Sequence, residues 1–392
     1  MKKNNYSSVI DFGSDSLRLG IFNSESKNIL SISKQIIEKK DYEEHSKSLN
    51  SLIRSAEKKI SLHLENIIVL YDHSEFYSID LSIKREFDQP INLKSTYYSL
   101  IMEANSLINN NYIKDKIIHL ITVKSIIDNK EFFEDITDDK KINSIIIELK
   151  FLCLNKEIYE KILKIFKENN LQISNFYCSS YIKSFSYVNY FNKKENLTFL
   201  DIGWERSTII SYVDKKLLFF NTIPIGGNHI TKDISKVLKL TLQDAEKIKK
   251  TFNKSEIEFS FDQNIDNDKK NLIQEILGKN ISVDLLKQVV LARVEEIITL
   301  SSKATFYPKD LNNNINSTLV LTGNGSNLFD KNSFHLDSKY SFKEISFYEE
   351  SDSEICNAGY NFYIKKYNEI EFLYKNKKKV GFFEKFFNLF SR

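Results

Sequence analysis

The chain has few of the residues that break or staple structure. Its 392 residues include only 3 Pro, 10 Gly, 3 Cys, 2 Met and 1 Trp. So little Pro and Gly excludes a collagen-like or low-complexity chain. Cys153, Cys178 and Cys356 lie far apart in sequence, and none forms a metal-spaced pair. So sparse a thiol content points to a reducing compartment, not a disulfide scaffold. No Cys-x-x-Cys or His-Glu-x-x-His occurs, which argues against a zinc enzyme. Walker-type and Gly-x-Gly-x-x-Gly fingerprints are also missing. No run of about 18 apolar residues is present, so no bilayer-spanning helix is expected. Lys2 and Lys3 precede no apolar stretch, so no signal peptide is expected. With 56 Lys+Arg against 53 Asp+Glu, the formal net charge is only +3. That excludes a general polyanion binder, and no nucleic-acid partner is expected. What is plentiful is aromatic and apolar mass: 29 Phe, 20 Tyr and 41% hydrophobic residues. A chain of this length and content can bury two sizeable cores.

Apolar spacing orders the elements. Val9–Phe12 and Leu17–Phe22 read as strands joined by a tight turn. Leu197–Gly203 and Ser207–Tyr212 repeat that pattern early in the second half, again with Asp-x-Gly at the turn. The repeat predicts an internal duplication. Asn66–Tyr71, Ile117–Ile121 and Ser144–Leu154 read as further strands. Ser46–Leu62, Glu157–Glu168, Leu242–Phe252 and Leu285–Thr299 carry helical spacing. Thr241 and Asp244 form a capping box ahead of the third of these. Residues 77–151, strand-rich with one helix near Tyr97–Leu107, suggest a small inserted domain. Phe261–Lys270 and Lys309–Ser317 read as loops, and Ser317–Ser326 as strand, glycine turn, helix.

Three glycine turns follow apolar strands. Gly at such a turn lets main-chain N–H groups point at an anion. Taken singly, an Asp-x-Gly hairpin is more often an ordinary turn. Two in register across the halves, with a third turn, point instead to a phosphate cleft. Asp11, Gly13, Ser14 and Ser16 would form one side, Asp201 and Gly203 the other. Asp11 and Asp201 are placed to hold Mg²⁺ through water, since Mg²⁺ takes oxygen ligands and keeps several waters. Gly323, Asn324, Gly325 and Ser326 would lie against a base or ribose.

These stretches together resemble the actin/Hsp70/hexokinase-type ATPase superfamily and, within it, the FtsA family of bacterial division proteins. Asp11–Ser14 looks like the first phosphate loop and Asp201–Gly203 like the second. Ile223–Ile234, which contains Gly226 and Gly227, and Ala292–Ile297 resemble FtsA stretches closely. Ala245–Lys249 looks like the helix that meets the ribose, with Glu246 and Lys249 facing it. Leu321–Ser326 is similar to the adenosine loop, and Asn357–Gly359 to the closing connecting segment.

The resemblance implies an α/β, actin-like ATPase fold of two duplicated halves. Residues 1–76 and 152–196 would form subdomain 1A, and 77–151 an FtsA-type 1C insert. Residues 197–225 and 302–360 would form 2A, 226–301 would form 2B, and 361–379 a helix and basic linker. It also implies ATP and Mg²⁺ as cofactors, self-association into filaments, and FtsZ, docked near Arg293, as partner. Other divisome proteins and an anionic membrane surface at the septum complete the implied set.

Two departures bear on turnover. Gly203-Trp204-Glu205-Arg206-Ser207 stands where the family has a glycine-rich run. Ser16 stands where the first loop normally carries Lys, with Arg18 two residues on. Slow or absent hydrolysis is expected. The alternatives are a PilM-like pilus assembly protein, or an actin-fold ATPase or kinase whose turnover is its function. Glu246 and Lys249 also fit a surface pair three apart on a helix, and Arg293 an ordinary helix-surface residue.

Val380–Arg392 reads as an amphipathic helix. Phe382, Phe383, Phe386, Phe387, Leu389 and Phe390 gather on one face, with Glu384, Lys385, Asn388 and Ser391 on the other. Such a stretch is too short to span a bilayer and suits its interface. Lys375, Lys377, Lys378 and Lys379 precede it. The alternative is a terminal helix docked on the protein's own core.

Overall fold

The computed structural model describes residues 6–23, 25–36, 42–132, 140–191, 196–251, 283–304, 317–328 and 342–377. The strands are β1 (Tyr6–Phe12), β2 (Ser16–Asn23), β3 (Asn28–Gln35), β4 (Asn66–Tyr71) and β5 (Tyr77–Asn92). They continue with β6 (Asp115–Ile127), β7 (Lys130–Phe132), β8 (Lys141–Asn155), β9 (Gln172–Cys178) and β10 (Asn196–Ile202). The last four are β11 (Ser207–Val213), β12 (Lys216–Ile223), β13 (Ser317–Thr322) and β14 (Phe342–Phe347).

Two five-stranded sheets share one plan, ordered β3-β2-β1-β4-β9 and β12-β11-β10-β13-β14. Each combines an antiparallel three-stranded meander with two parallel strands. β1 and β10 are covered on both faces, so they read as continuous apolar runs rather than alternating ones. The edge strand β3 alternates between half-buried and exposed positions. The duplication holds at the level of register. Asp11 pairs with Arg18 on β2 and Leu70 on β4; Asp201 pairs with Thr208 on β11 and Thr322 on β13. The turns match too: the Gly13 N–H donates to Ser16 O at 3.2 Å, and the Gly203 N–H to Arg206 O at 2.9 Å.

Residues 77–155 form a separate four-stranded sheet, β5-β8-β6-β7, with the helix Leu93–Asn111 beside it. That helix starts earlier than its apolar spacing suggests because Asn92 caps it, accepting the Ser95 N–H at 3.0 Å. β8 joins this unit to the first half. Phe151 and Cys153 pack into the insert's core, whereas Leu152 and Leu154 pack into the main one. Alternation along one strand thus sends neighbouring side chains into two cores.

The helix Ser179–Tyr190 follows β9 and leads into β10. The helices Gly227–Leu238, Leu242–Thr251 and Val283–Ala304 cover the second sheet, burying Ile230, Ile234, Ala245, Val290 and Val294 against Leu200 and Leu321. Thr241 caps the middle one, accepting the Asp244 N–H at 3.1 Å. The helix Asp352–Lys377 returns to the first sheet, where Tyr360 stacks on Phe22 of β2 at 4.2 Å. All three cysteines are free and buried. Among the described residues, no helix is long and apolar enough to cross a membrane. The expected loop Phe261–Lys270, most of Lys309–Ser317, and the expected amphipathic helix Val380–Arg392 with Lys378 and Lys379 lie outside the described residues.

Candidate nucleotide-binding cleft

The loops after β1, β10 and β13 converge on one cleft of about 360 Å³. It opens beyond the C-terminal ends of the central parallel strands, where open α/β sheets generally present their ligand crevices. Gly13, Ser14 and Ser16 line one wall, Gly203 the facing one, and Gly323, Asn324 and Gly325 a third. Asp11 and Asp201 also reach it, and Gly227, Glu246 and Lys249 close its side. Gly226 and Ser326 do not line the cleft but hold its loops. A Cβ on Gly226 would lie 2.6 Å from Gly203 O and 2.8 Å from Trp204 O. Ser326 is fully buried and donates from Oγ to Gly323 O at 2.7 Å. Gly323 has φ +82°, and a Cβ there would meet Asp201 Oδ1 at 2.3 Å. Both its conformation and its space therefore require Gly.

The floor is an ionic network. Asp11 accepts from Arg18 at 2.8 Å and from the Ser179 hydroxyl at 2.8 Å, on different oxygens. Arg18 also reaches Asp352. Asp201 Oδ2 accepts from the Ser180 hydroxyl at 2.6 Å and lies 3.0 Å from Lys183 and 3.3 Å from Arg206. Lys183 also contacts Glu350 at 3.1 Å, and Arg206 pairs with Asp72. Burial would raise Asp201, but Lys183 and Arg206 outweigh it and hold its carboxyl well below the usual range. Burial prevails at Asp72 and Glu350 and pushes both carboxyls up.

The second loop consumes a helix start. The Gly227 N–H donates to Gly203 O at 2.8 Å and the Asn228 N–H to Trp204 O at 2.7 Å. These two donors are committed to the loop, which is held against the helix rather than against solvent. Trp204 turns toward Lys249, whose Nζ lies 4.5 Å from the indole centroid. Lys249 also donates to Gly227 O at 3.1 Å and Thr231 Oγ1 at 2.7 Å, and lies 2.6 Å from Glu246. Burial pushes its pKa down. Glu246 and Lys249 do pair three residues apart, but on the cleft wall and largely buried rather than on an open surface. Glu205 is exposed and does not line the cleft.

The family model for cell division protein FtsA matches residues 198–328, which include the second loop, the helix start it binds and the third glycine turn. Cell division protein FtsA of Bacillus subtilis is 24% identical over 209 residues, 52% of this chain and 45% of that protein. The FtsA of Borreliella burgdorferi is 31% identical over 141 residues, 34% of this chain and 32% of that protein. The chain is FtsA-like. Each match spans less than half of the relative's length. Solved structures similar to it include the PilM-PilN type IV pilus biogenesis complex, at TM-score 0.51 and 13% identity over 89% of both chains. Another is MreB 5 of Spiroplasma citri bound to AMPPNP, at TM-score 0.50 and 11% identity over 94% of this chain and 98% of that one. The fold is that of the actin-like ATPases, as the sequence motifs imply.

The FtsA-like cleft departs from the expected metal chemistry. Asp11 and Asp201 both reach it, but each arrives already paired with basic side chains. Mg²⁺ needs available oxygen donors and room for its waters. The donor set as arranged does not fit it.

Asp72, Ser179, Lys183 and Glu350 also belong to this site, and sequence reasoning passed over them. Asp72, Ser179 and Glu350 follow β4, β9 and β14, and strand ends on the cleft side were the available clue. Lys183 offered a weaker one: a lone basic residue in a helix otherwise buried along most of its length. Arg293, expected at a partner surface, lies on Val283–Ala304 and grips Asp233 of Gly227–Leu238 with two bonds, at 2.5 and 2.9 Å. It also pairs with Glu296.

Proposed function

We propose that this FtsA-like protein binds adenine nucleotide in the cleft, self-associates end to end, and tethers FtsZ to the cytoplasmic face of the membrane at the division septum. The observation that carries the nucleotide part is the convergence of two register-matched loops and a third glycine turn on one cleft. Residues 1–76 and 152–196 act as subdomain 1A, 77–151 as the 1C insert, 197–225 and 302–360 as 2A, and 226–301 as 2B. The FtsZ peptide docks on the 226–301 region, exchanging an acidic group for one of the carboxylates now held by Arg293. Other divisome proteins bind the assembled filament. The altered second loop keeps turnover below about 1 s⁻¹, the low end of ordinary enzymes.

The membrane contact is assigned to Val380–Arg392 on its apolar pattern and the lysines before it. Each basic residue near an anionic leaflet adds about 1 kcal/mol. Co-sedimentation with anionic vesicles should pellet the full chain and leave a chain stopped at Lys379 in solution. Phe383→Glu with Phe387→Glu should release the full chain without moving its melting temperature. Equal pelleting of all three would remove the anchor. A large drop in melting temperature would place those rings in the protein's own core.

A PilM-like role is the second reading, because that fold similarity covers 89% of both chains. The FtsA match over residues 198–328 favours division. Binding of an FtsZ C-terminal peptide distinguishes the two.

A further inference from the structure

We infer that the cleft takes the phosphates of a nucleotide without a divalent cation, with Arg206 and Lys183 supplying the positive charge beside Asp201. This rests on the nucleotide reading above and goes beyond it.

The argument starts from the occupied oxygens. Asp11 uses Oδ1 on Ser179 and Oδ2 on Arg18. Asp201 has the Ser180 hydroxyl, Lys183 and Arg206 all within 3.3 Å of Oδ2. Its Oδ1 faces the Cα of Gly323 closely enough that a Cβ there would lie 2.3 Å away. A dication seated between Asp11 and Asp201 would meet three cations already pairing with those carboxylates, where low dielectric strengthens the repulsion. Arg206 belongs to the loop itself. It folds back beneath Gly203, where a Cβ would stand 3.5 Å from its Cζ, and donates to Asp201 O at 3.2 Å.

The phosphates need compensation from somewhere. The first two N–H groups of Gly227–Leu238 are already bonded to the Gly203 and Trp204 carbonyls. Side-chain cations remain, and Arg206 and Lys183 both line the cleft. Arg suits phosphate because its planar fork bonds two oxygens at once. Their present partners Asp72 and Glu350 are the carboxyls that burial pushes up, so these give up negative charge most readily when a phosphate arrives.

The test is calorimetry of the full chain with ATP, once in EDTA and once in excess Mg²⁺. Affinities within about twofold of each other are expected. Arg206→Gln should weaken binding in EDTA at least tenfold and recover part of the loss when Mg²⁺ is added. Arg206→Lys, which keeps the charge, should bind in EDTA and guards against a folding defect in the first variant. Binding by the wild type only with Mg²⁺ overturns the inference and leaves the nucleotide reading standing. No binding under either condition overturns both. Unchanged EDTA affinity in a folded Arg206→Gln removes Arg206 from the role and overturns the inference as stated.

Discussion

Lys183 Nζ stands 3.0 Å from Asp201 Oδ2 at the seam between the two duplicated sheets. Lys183 comes from the helix after β9 and Asp201 from β10, and less than a tenth of either side chain is exposed. With Glu350 at 3.1 Å from the same ammonium, the lysine ties first-half to second-half structure inside the cleft.

Lys183→Met should therefore destabilise the fold strongly. It leaves Asp201 and Glu350 buried with one cation fewer, and breaking a buried pair from one side costs about 3–5 kcal/mol. Equilibrium unfolding in urea measures this. A loss under about 1 kcal/mol would mean that water reaches the carboxylates.

His119 should make stability fall in acid. Its Nε2 accepts the Cys178 N–H at 2.9 Å, and burial pushes the imidazole from 6.5 down to about 3, with Lys366 adding to the shift. The folded pKa lies below the unfolded one, so the unfolded chain binds more protons in between. The contribution is complete above about pH 6.5 and is lost toward about pH 3, at roughly 1.4 kcal/mol per pH unit. His119→Gln keeps an acceptor and removes the titration. Urea midpoints at pH 7.5 and 5 should fall less in the variant; an identical fall in both proteins would count against the assignment.

Gly323→Ala should damage both the fold and the cleft. A left-handed φ costs a residue with a Cβ about 1–2 kcal/mol, and the new methyl would collide with Asp201 Oδ1. A lower melting point is expected, with loss of the thermal stabilisation by ATP that the proposed nucleotide site predicts through linkage. An alanine variant that melts and responds like the wild type would show that the turn can reopen.

Arg293 and Asp233 should respond in opposite directions to FtsZ peptide. Asp233→Asn loosens the grip on Arg293 and should tighten peptide binding several-fold. Arg293→Glu should abolish it while destabilising the helix pair by about 1 kcal/mol, a modest figure because both side chains are about a quarter exposed. Fluorescence anisotropy with labelled peptide reads both variants. No change in either would take Arg293 out of the docking surface.

Much of this architecture was legible before any coordinates. Apolar runs bounded by Asp-x-Gly turns located β1 and β10, and their repetition exposed the duplication. Helical spacing located Tyr42–Ile60 and Lys156–Glu168 to within a few residues. Register-level features were harder. Nothing local in Gly203-Trp204-Glu205-Arg206 says that Arg206 turns inward to Asp201 and Asp72 while Glu205 stays outside.

Periodicity and backbone angles over a few residues were enough to read the two matching hairpins, the strands at Asn66–Tyr71 and Ser144–Leu154, several helices and the third glycine turn, whereas β3, β9, β12, β14 and the helix Ser179–Tyr190 went unread. Tertiary structure alone decided the charge state and the occupancy of the cleft. Asp72, Lys183, Asp201 and Glu350 are separated by up to 278 positions in the chain, and only the stacking of two sheets brings them within bonding distance. Ionic interaction depends on that distance and on burial, which no short stretch of chain encodes.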